Sequence, residues 1–269
     1  MANLSRLPGS HDRFKGTCRA GLIAGALAAL SLGGCATPNG DGSWTLPGED
    51  GGRIFQPPTV AAIVDGHFPA TGALEGSLAL IQSVDNVGPE PFNAVIAVNP
   101  ALLGDQPLPS PGGLLGGLPI LLKDNIETAD MPTTAGSLAL VDNAPGRDAP
   151  LVTRLREAGA VIVGKANLSE WANIRSTNSI SGWSAVGGQA LNPYDPTRTP
   201  CGSSAGSATA VAMGLAPAAI GTETNGSIVC PASVNGVVGF KPTVGLVSRT
   251  HIVPISHSQD TAGPITTTV

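Results

Sequence analysis

A serine-bearing turn that directly follows an apolar run places the tightest constraint on how this chain can fold. Residues 216–221 are apolar and predict a buried strand, and residues 221–227 are rich in Gly and Thr and end in Ser227. A turn of this composition lets consecutive backbone N–H groups converge on one point. The chain must therefore bring a strand end, a tight turn and a serine hydroxyl together.

Two other segments have a similar character. Residues 200–207 form a second serine-rich turn that contains Ser203, and the apolar run 118–122 ends in Lys123. A lysine beside an apolar run is unexpected, because burial of a charged amine is costly. The alternative is a strand-end lysine whose amine reaches water. Taken with the two serine turns, Lys123 indicates a lysine base that activates a serine nucleophile without histidine.

The order of apolar and polar runs predicts an α/β layered fold, because strands alternate with helices. Residues 102–117 predict an irregular loop. Strands are predicted over 93–98, 118–123, 160–164 and 216–221, and helices over 59–64, 71–84, 150–158, from 167 onward, and over 207–213.

Composition excludes some function classes. The chain has 269 residues, of which 42% are hydrophobic, and a net charge of −5, which suits one or two domains with a sizeable core. Its basic residues form no cluster, and aromatic residues are only 3%, so we expect no nucleic-acid partner. We also expect no metal and no cofactor.

The amino terminus predicts a leader. Basic residues precede an apolar run over 20–32, which is too short to span a bilayer comfortably and is typical of a signal peptide. The run ends in Leu-Gly-Gly-Cys at Cys35, a pattern similar to a bacterial lipobox. We therefore predict a lipoprotein signal peptide over 1–34, a lipid on Cys35 that anchors the protein to a membrane, and an exported, cell-envelope location. Ordinary secretion, with Cys35 a bystander, is the alternative.

The rest of the chain divides into two parts. Residues 35–58 are rich in Gly, Pro and Asp and predict a flexible tether, and residues 59–269 form the folded domain. Cys201 and Cys230 are the cysteines of that domain, and they flank the two serine turns. A disulfide between them and two separate buried thiols are both compatible with the sequence.

These motifs together resemble the amidase signature family, whose members hydrolyse C–N amide bonds with a Ser–Ser–Lys triad. The resemblance implies a mixed central sheet flanked by helices. It also implies that residues 59–269 are the amino-terminal portion of an amidase domain, because family members continue beyond residues 265–269, where a strand is predicted to begin. The segments that carry the resemblance, in family order, are 119–125, 133–137, 164–173, 192–206, 222–232 and 237–248.

The resemblance assigns a role to each motif residue. Ser227 is the expected nucleophile. Ser203 is the expected proton bridge, and its peptide bond with Gly202 is expected to be cis. Lys123 is the expected base, and its amine must be neutral to accept a proton. The remaining expectations concern backbone and supporting groups. The expected oxyanion donors are the backbone N–H groups of Thr224, Asn225, Gly226 and Ser227. The expected supporting side chains are those of Ser204, Ser207 and Asp124. Of these, Asp124 is expected to orient either the backbone or Lys123.

Departures from the family pattern bear on substrate choice. Glu223 and Asn225 stand where many members carry Asp and Gly, so Asn225 needs a tolerant backbone angle. Val229 stands where many have Arg, which weakens the case for an acidic substrate. The expected substrate is a small amide or an amidated peptide. The leader argues against a tRNA-linked amidotransferase role.

The sequence is also compatible with two other functions. Residues 202–206 fit G-x-S-x-G, the nucleophile motif of α/β-hydrolases, with Ser204 as nucleophile and His251 or His257 as base. The turn-rich residues 192–196, which predict no strand before this motif, argue against that assignment. The other alternative is a non-catalytic lipoprotein that binds a ligand or partner.

Overall fold

The computed structural model describes residues 37–38, 43–46, 53–55, 57–88, 90–104, 109 and 112–269. The predicted leader over 1–34 and Cys35 lie outside the described residues. The helices are α1 Val60–Val64, α2 Ala70–Leu80, α3 Pro150–Glu157, α4 Ala205–Ala212 and α5 Val229–Val234. The strands are β1 Thr37–Pro38, β2 Trp44–Leu46, β3 Arg53–Phe55, β4 Val95–Val98, β5 Pro119–Lys123, β6 Val161–Ala166, β7 Trp183–Ser184, β8 Gly188–Gln189, β9 Ala218–Glu223, β10 Val238–Gly239 and β11 Thr261–Thr266. Within these ranges no helix has the length and apolar character needed to cross a membrane.

A mixed six-stranded sheet flanked by helices organises the domain, which confirms the predicted fold class. Its strand order is β10-β11-β9-β5-β6-β4. The central strand β5 runs parallel to both β6 and β9, whereas the other pairs are antiparallel. In this register Leu122 lies opposite Ile220 on one side and Lys165 on the other.

The central strands are buried on both faces. All residues of β5, β6 and β9 are buried, as expected for parallel strands covered by helices on each side. Successive side chains of β5 point to opposite faces, so Leu121 packs with α2 and α4 in one apolar cluster. Ile120 and Leu122 belong to a second cluster, which also contains Ile63 and Val152 from α1 and α3.

The edge strand β4 is held by a buried carboxylate. Helix α2 continues as a π-helical turn over Ile81–Asp85. Asp85 is fully buried and accepts hydrogen bonds from the N–H groups of Ala94 and Val95, at 2.7 and 2.9 Å. Burial raises the pKa of Asp85 to about 6, and the two N–H groups partly oppose that rise. This contact connects the end of α2 to the start of β4.

The predicted helix from residue 167 is wrong. The chain forms only a short 3-10 turn over Glu170–Asn173, in which Trp171 and Ala172 have left-handed φ angles of 51° and 53°. The cause lies in Asn167, whose amide group donates to the carbonyl of Asn93 at 2.9 Å and whose oxygen accepts from the N–H of Leu168 at 2.8 Å. A side chain that bonds the local backbone in this way competes with helix formation.

Two other elements differ from the sequence-based expectation. Strands β1, β2 and β3 lie within residues 35–58, where a tether was predicted, and they pair as a small antiparallel sheet. Trp, Thr, Leu, Ile and Phe in β2 and β3 favour strands. The last strand begins at Thr261 rather than at residue 265, because it pairs along the whole of β9.

Candidate active site

The carboxyl ends of two neighbouring parallel strands bring the predicted residues together. Lys123 is the last residue of β5, and the turn that carries Ser227 follows the end of β9. Parallel strands end at the same edge of a sheet, which is where α/β proteins place their sites. Helix α4 begins at Ala205, directly after Ser203 and Ser204, and brings Ser203 to the same edge.

Lys123 is fully buried and contacts both Ser203 and Thr222. Its Nζ lies 2.7 Å from the Ser203 Oγ, 2.8 Å from the Thr222 Oγ1 and 3.2 Å from the Thr222 carbonyl oxygen. Burial lowers the pKa of Lys123 to about 7, against the charges of Glu223 and Asp260, which raise it. A neutral amine is therefore well populated near pH 7, and its lone pair can accept the Ser203 proton.

The two serines line a common cavity. The Gly202–Ser203 peptide bond is cis, as the resemblance implies, and Ser203 is fully buried. The Ser227 Oγ makes no hydrogen bond to any part of the chain that the structure describes. The hydrogen bond between Ser227 and Ser203 that a proton transfer would use is therefore not formed in this structure. The cavity has a volume of about 340 Å³. It is lined by Asn125, Ser203, Thr222, Glu223, Thr224, Ser227, Arg249, Thr250, Ile252, Val253, Pro254, Ile255, His257, Asp260 and Thr261.

Glu223, which departs from the family pattern, organises the turn that carries Ser227. Its carboxylate accepts hydrogen bonds from the N–H groups of Gly226 at 2.8 Å, Ile228 at 2.7 Å and Val229 at 2.9 Å. These bonds satisfy the amides at the start of α5 and fix the backbone on both sides of Ser227. Glu223 is a positioning residue that the sequence did not reveal.

The same bonds correct the predicted oxyanion donors. The Gly226 N–H is already bonded to Glu223, so it is not free to bind an oxyanion. The N–H groups of Thr224, Asn225 and Ser227 have no acceptor among the described residues and remain available. The left-handed backbone angle falls on Gly226, with φ of 83°, so Asn225 needs no tolerant angle.

Asp260 joins the serine turn to the opposite wall of the cavity. Its Oδ1 accepts a hydrogen bond from the Thr224 hydroxyl at 2.5 Å. Its Oδ2 accepts from the N–H groups of Ile255 and Ser256, at 2.8 and 2.9 Å. One carboxylate therefore connects Thr224 in the turn that carries Ser227 to residues 255–256 on the opposite wall. The sequence offered no signal for this role, because the contact depends on the pairing of β9 with β11.

Asp124 binds the other buried lysine rather than Lys123. Its Oδ1 lies 3.1 Å from the Nζ of Lys165, and its Oδ2 accepts from the N–H of Thr134 at 3.1 Å. Lys165 also donates to the carbonyl of Ile126 at 2.6 Å and to the hydroxyl of Thr133 at 2.9 Å. Burial lowers the pKa of Lys165, and Asp124 opposes that shift. Of the two expected roles of Asp124, orientation of the backbone agrees with its bond to the Thr134 N–H, whereas the described hydrogen-bond partners of Lys123 are Ser203 and Thr222.

Ser204 and Ser207 hold α4 against β9. The Ser204 hydroxyl donates to the carbonyl of Thr222 and accepts from its N–H, both at 3.2 Å, and the Ser207 hydroxyl donates to the carbonyl of Ile220 at 3.4 Å. A β-carbon at position 221 would lie 2.8 Å from the Ser204 Oγ, so Gly221 permits this close approach. Ser204 is fully buried and does not line the cavity.

The α/β-hydrolase alternative lacks its structural context. No strand precedes residues 202–206 within the described range 190–204. His251 lies 3.6 Å from Glu127, and His257 lines the cavity. Neither histidine is hydrogen-bonded to Ser204, whose partners are backbone groups of the described sheet. A nucleophile elbow needs both a preceding strand and a base within reach of the serine.

Cys201 and Cys230 form a disulfide, which decides between the two states that the sequence allowed. Cys201 lies two residues before Ser203, and Cys230 lies three residues after Ser227. The bond therefore connects the two serine turns. Asn235 adds a second connection, because its amide donates to the carbonyls of Pro200 at 2.9 Å and Pro231 at 2.7 Å.

Proteins of similar sequence are named as amidases or as components of amidotransferases. The chain is 57% identical over 157 residues to a protein of Arabidopsis thaliana named a probable amidase, and the match covers 58% of this chain and 31% of that protein. It is 47% identical over 157 residues to a glutamyl-tRNA(Gln) amidotransferase component of Methanococcoides burtonii, with 58% of this chain and 32% of that protein covered.

Solved structures of proteins named as amidases also resemble this chain. The peptide amidase of Stenotrophomonas maltophilia superposes with a TM-score of 0.70 at 55% identity, covering 77% of this chain and 44% of that enzyme. An amidase family protein of Bacillus anthracis gives 0.71 at 41% identity, with 78% and 44% covered. The chain thus spans about a third of the length of these sequence relatives and under half of each solved chain. The sequence profile of the Amidase family matches residues 95–269, and the chain belongs to the amidase family.

Proposed function

We propose that the protein hydrolyses carboxylic amide C–N bonds through an acyl-enzyme on Ser227. One observation carries the proposal. The buried amine of Lys123 lies 2.7 Å from the Ser203 hydroxyl, at a cavity that both Ser203 and Ser227 line. A lysine whose pKa is lowered to about 7 by burial can act as a base at neutral pH.

The proposed reaction begins with a proton relay. Ser227 attacks the amide carbon, its proton passes to Ser203, and the Ser203 proton passes to the neutral amine of Lys123. This requires the Ser227 hydroxyl to rotate to within hydrogen-bond distance of Ser203. The protonated Lys123 then returns a proton through Ser203 to the leaving amine, and water hydrolyses the acyl ester by the same route.

The oxyanion of the tetrahedral intermediate is bound by backbone groups in this proposal. The N–H groups of Thr224, Asn225 and Ser227 are the available donors of the serine turn. Each such donor typically lowers the barrier by about 2.7–4 kcal/mol. The carboxylate of Glu223 contributes indirectly, because it holds the turn in which these donors lie.

The proposed substrates are amidated peptides or small acyl amides. Support comes from the likeness to a peptide amidase at 55% identity and from a cavity of about 340 Å³, which suits a small group. Relatives named as components of glutamyl-tRNA(Gln) amidotransferase are also similar. The predicted leader argues against that role, because an exported protein would be separated from charged tRNA.

We also propose that the protein is a cell-envelope lipoprotein whose lipid is carried by Cys35. The support is the sequence of residues 1–35, with basic residues, an apolar run and a lipobox-like ending. The disulfide between Cys201 and Cys230 agrees with an oxidising compartment.

A fluorophosphonate, which reacts with activated serines, tests the proposed nucleophile. We expect one adduct, on Ser227, and parallel loss of labelling and of amide hydrolysis in Ser227→Ala and Lys123→Ala. The matched control is Ser204→Ala, which retains labelling. An adduct on Ser204 would support the α/β-hydrolase alternative. A folded protein with neither adduct nor hydrolysis would identify a non-catalytic binding module.

A further inference from the structure

We propose that the Cys201–Cys230 disulfide is a redox-controlled connection that sets the relative position of Ser203 and Ser227, so that its reduction slows the chemical step. This rests on the proposed function, in which those two serines exchange a proton. The disulfide joins the turn before Ser203 to the helix after Ser227 across 29 positions of sequence.

Apart from the backbone itself, the disulfide is the only covalent cross-link between the two turns in the described part of the chain. The Cα atoms of Cys201 and Cys230 are 6.0 Å apart. The nearby non-covalent contacts are a hydrogen bond from the Ser204 N–H to the Ser227 carbonyl at 3.1 Å and the bond from Asn235 to Pro200. These contacts keep the turns adjacent after reduction, but hydrogen bonds allow small shifts that a covalent link does not.

The backbone at Cys201 supports a positioning role. Cys201 has a left-handed φ of 54°, a conformation that is unfavourable for a residue with a β-carbon. Tertiary restraint is needed to hold such a residue in place. When the disulfide is reduced, Cys201 can relax toward the ordinary region, and Ser203, two residues further on, moves with it.

The disulfide is accessible to a small reductant, because both cysteines are half-buried rather than enclosed. A small dithiol attacks one sulfur, forms a mixed disulfide and closes to a cyclic disulfide. The S–S bond takes up two electrons and two protons and becomes two thiols, while the dithiol is oxidised by the same amount. Dithiothreitol is the probe of this class.

The effect is expected on kcat rather than on KM. The cavity wall at Ile255 and Ser256 is held by Asp260, and Val253 is held by the carbonyl of Asn125, so these contacts do not pass through the disulfide. The alignment of the two serines, by contrast, depends on the connected turns. A displacement of reacting groups by about an ångström can cost up to about a hundredfold in rate. We expect kcat to fall about tenfold or more on reduction, with KM within about twofold.

The test compares the purified, oxidised protein with the same protein treated with dithiothreitol and then reoxidised. Amide hydrolysis, the rate of Ser227 labelling by a fluorophosphonate, and circular dichroism are measured in each state. We expect hydrolysis and labelling to fall together and to recover on reoxidation, with an unchanged spectrum. The double variant Cys201→Ser/Cys230→Ser is expected to match the reduced protein and to ignore dithiothreitol.

The outcomes separate this inference from the proposed function. An oxidised, Ser227-dependent amidase whose kcat is unchanged by reduction would overturn the positioning role and leave the mechanism intact. A fall in melting temperature alone, with kcat retained below the transition, would also overturn it. Hydrolysis that persists in Ser227→Ala would reject the proposed function itself. If the double variant fails to fold, the reduced and reoxidised wild type still decides the question.

Discussion

The amine of Lys123 lies 2.7 Å from the hydroxyl of Ser203, with both side chains fully buried. Lys165, the neighbouring lysine of the sheet, is equally buried but lies 3.1 Å from the carboxylate of Asp124. Burial lowers the pKa of both lysines. The difference lies in their partners, because a carboxylate favours the charged form of an amine whereas a hydroxyl can exchange a proton with a neutral amine. This contrast makes Lys123 the candidate base and Lys165 its matched control.

The activity of the wild-type protein is expected to rise with pH. The base must be deprotonated, and the pKa of Lys123 is about 7. We therefore expect kcat/KM for a peptide amide to increase about tenfold per pH unit below about pH 7 and to level off above it. Steady-state kinetics from about pH 5 to about pH 9 give this profile. A profile that is flat or that falls through this range would contradict the role of Lys123.

Replacement of Lys123 by Met is expected to abolish turnover but to stabilise the fold at neutral pH. Because the folded pKa of about 7 lies below the ordinary 10.5, the unfolded state binds more protons between these values. The wild-type free energy of unfolding therefore rises with pH across that window. Lys123→Met lacks this rise, so its advantage is greatest below about pH 7 and disappears above 10.5.

The matched control for that variant is Lys165→Met. This substitution leaves Asp124 buried without its counter-charge, so we expect a loss of about 3–5 kcal/mol in the free energy of unfolding. Denaturant titration of both variants near pH 7 and near pH 10 measures the effects. Equal destabilisation by the two substitutions would contradict the assignment of different roles to these lysines.

Removal of the charge of Glu223 is expected to move the pH profile. That carboxylate raises the pKa of Lys123, so Glu223→Gln lowers it further and shifts the rising limb of kcat/KM to lower pH. The turn also loses charge-assisted bonds, typically worth about 1.5–3 kcal/mol, so kcat falls. The control is Glu170→Gln, a buried carboxylate that pairs with Arg175 instead. A limb that moves to higher pH, or moves equally in the control, would reject this prediction.

Asp260→Asn is expected to weaken substrate binding. The amide keeps one acceptor but no charge, so the bonds to Thr224 and to the N–H groups of Ile255 and Ser256 weaken and the cavity wall loosens. We expect KM to rise about tenfold. Kinetics of Asp195→Asn, in which an exposed ion pair with Arg198 is lost, provide the control. A KM at the wild-type value in Asp260→Asn would show that the wall is held by other contacts.

Replacement of Cys35 by Ser tests the proposed anchor. We expect the wild type to fractionate with membranes and to carry a lipid on its first mature residue, and Cys35→Ser to be unprocessed or released. Mass spectrometry of the amino-terminal peptide and detergent phase partitioning measure these outcomes. A wild-type protein recovered soluble after cleavage at another position would contradict the lipoprotein assignment.

Much of the architecture follows from local sequence. The apolar runs that end at Lys123 and before Thr222 are long enough and uninterrupted enough to predict central strands, and both are confirmed. The helix predicted from residue 167 is wrong because Asn167 bonds the distant backbone of Asn93, and the local sequence gives no sign of that bond. The pairing of β2 with β3 has no strong local signal, because each run of strand-forming residues is short and is flanked by Gly and Pro.

The site was less accessible to prediction than the fold. Lys123 stood out by its apolar surroundings, yet Lys165 has similar surroundings and a different partner, which only the register of β5 and β6 reveals. Glu223 and Asp260 act through backbone amides that lie up to six residues away, and such bonds depend on turn geometry rather than on residue type. The Gly226 donor was assigned wrongly for the same reason.

The parallel pairing of β5 with β9 also governs when the site can come into being. Lys123 and Thr222 are 99 positions apart, and no local contact can substitute for their pairing. Because closure of so long a loop is slow relative to helix and hairpin formation, we expect the lysine and the serines to meet late in folding. A newly synthesised chain is therefore expected to have no reactive serine until its sheet is assembled, and the proposed export in an unfolded state would keep the proposed activity out of the cytoplasm.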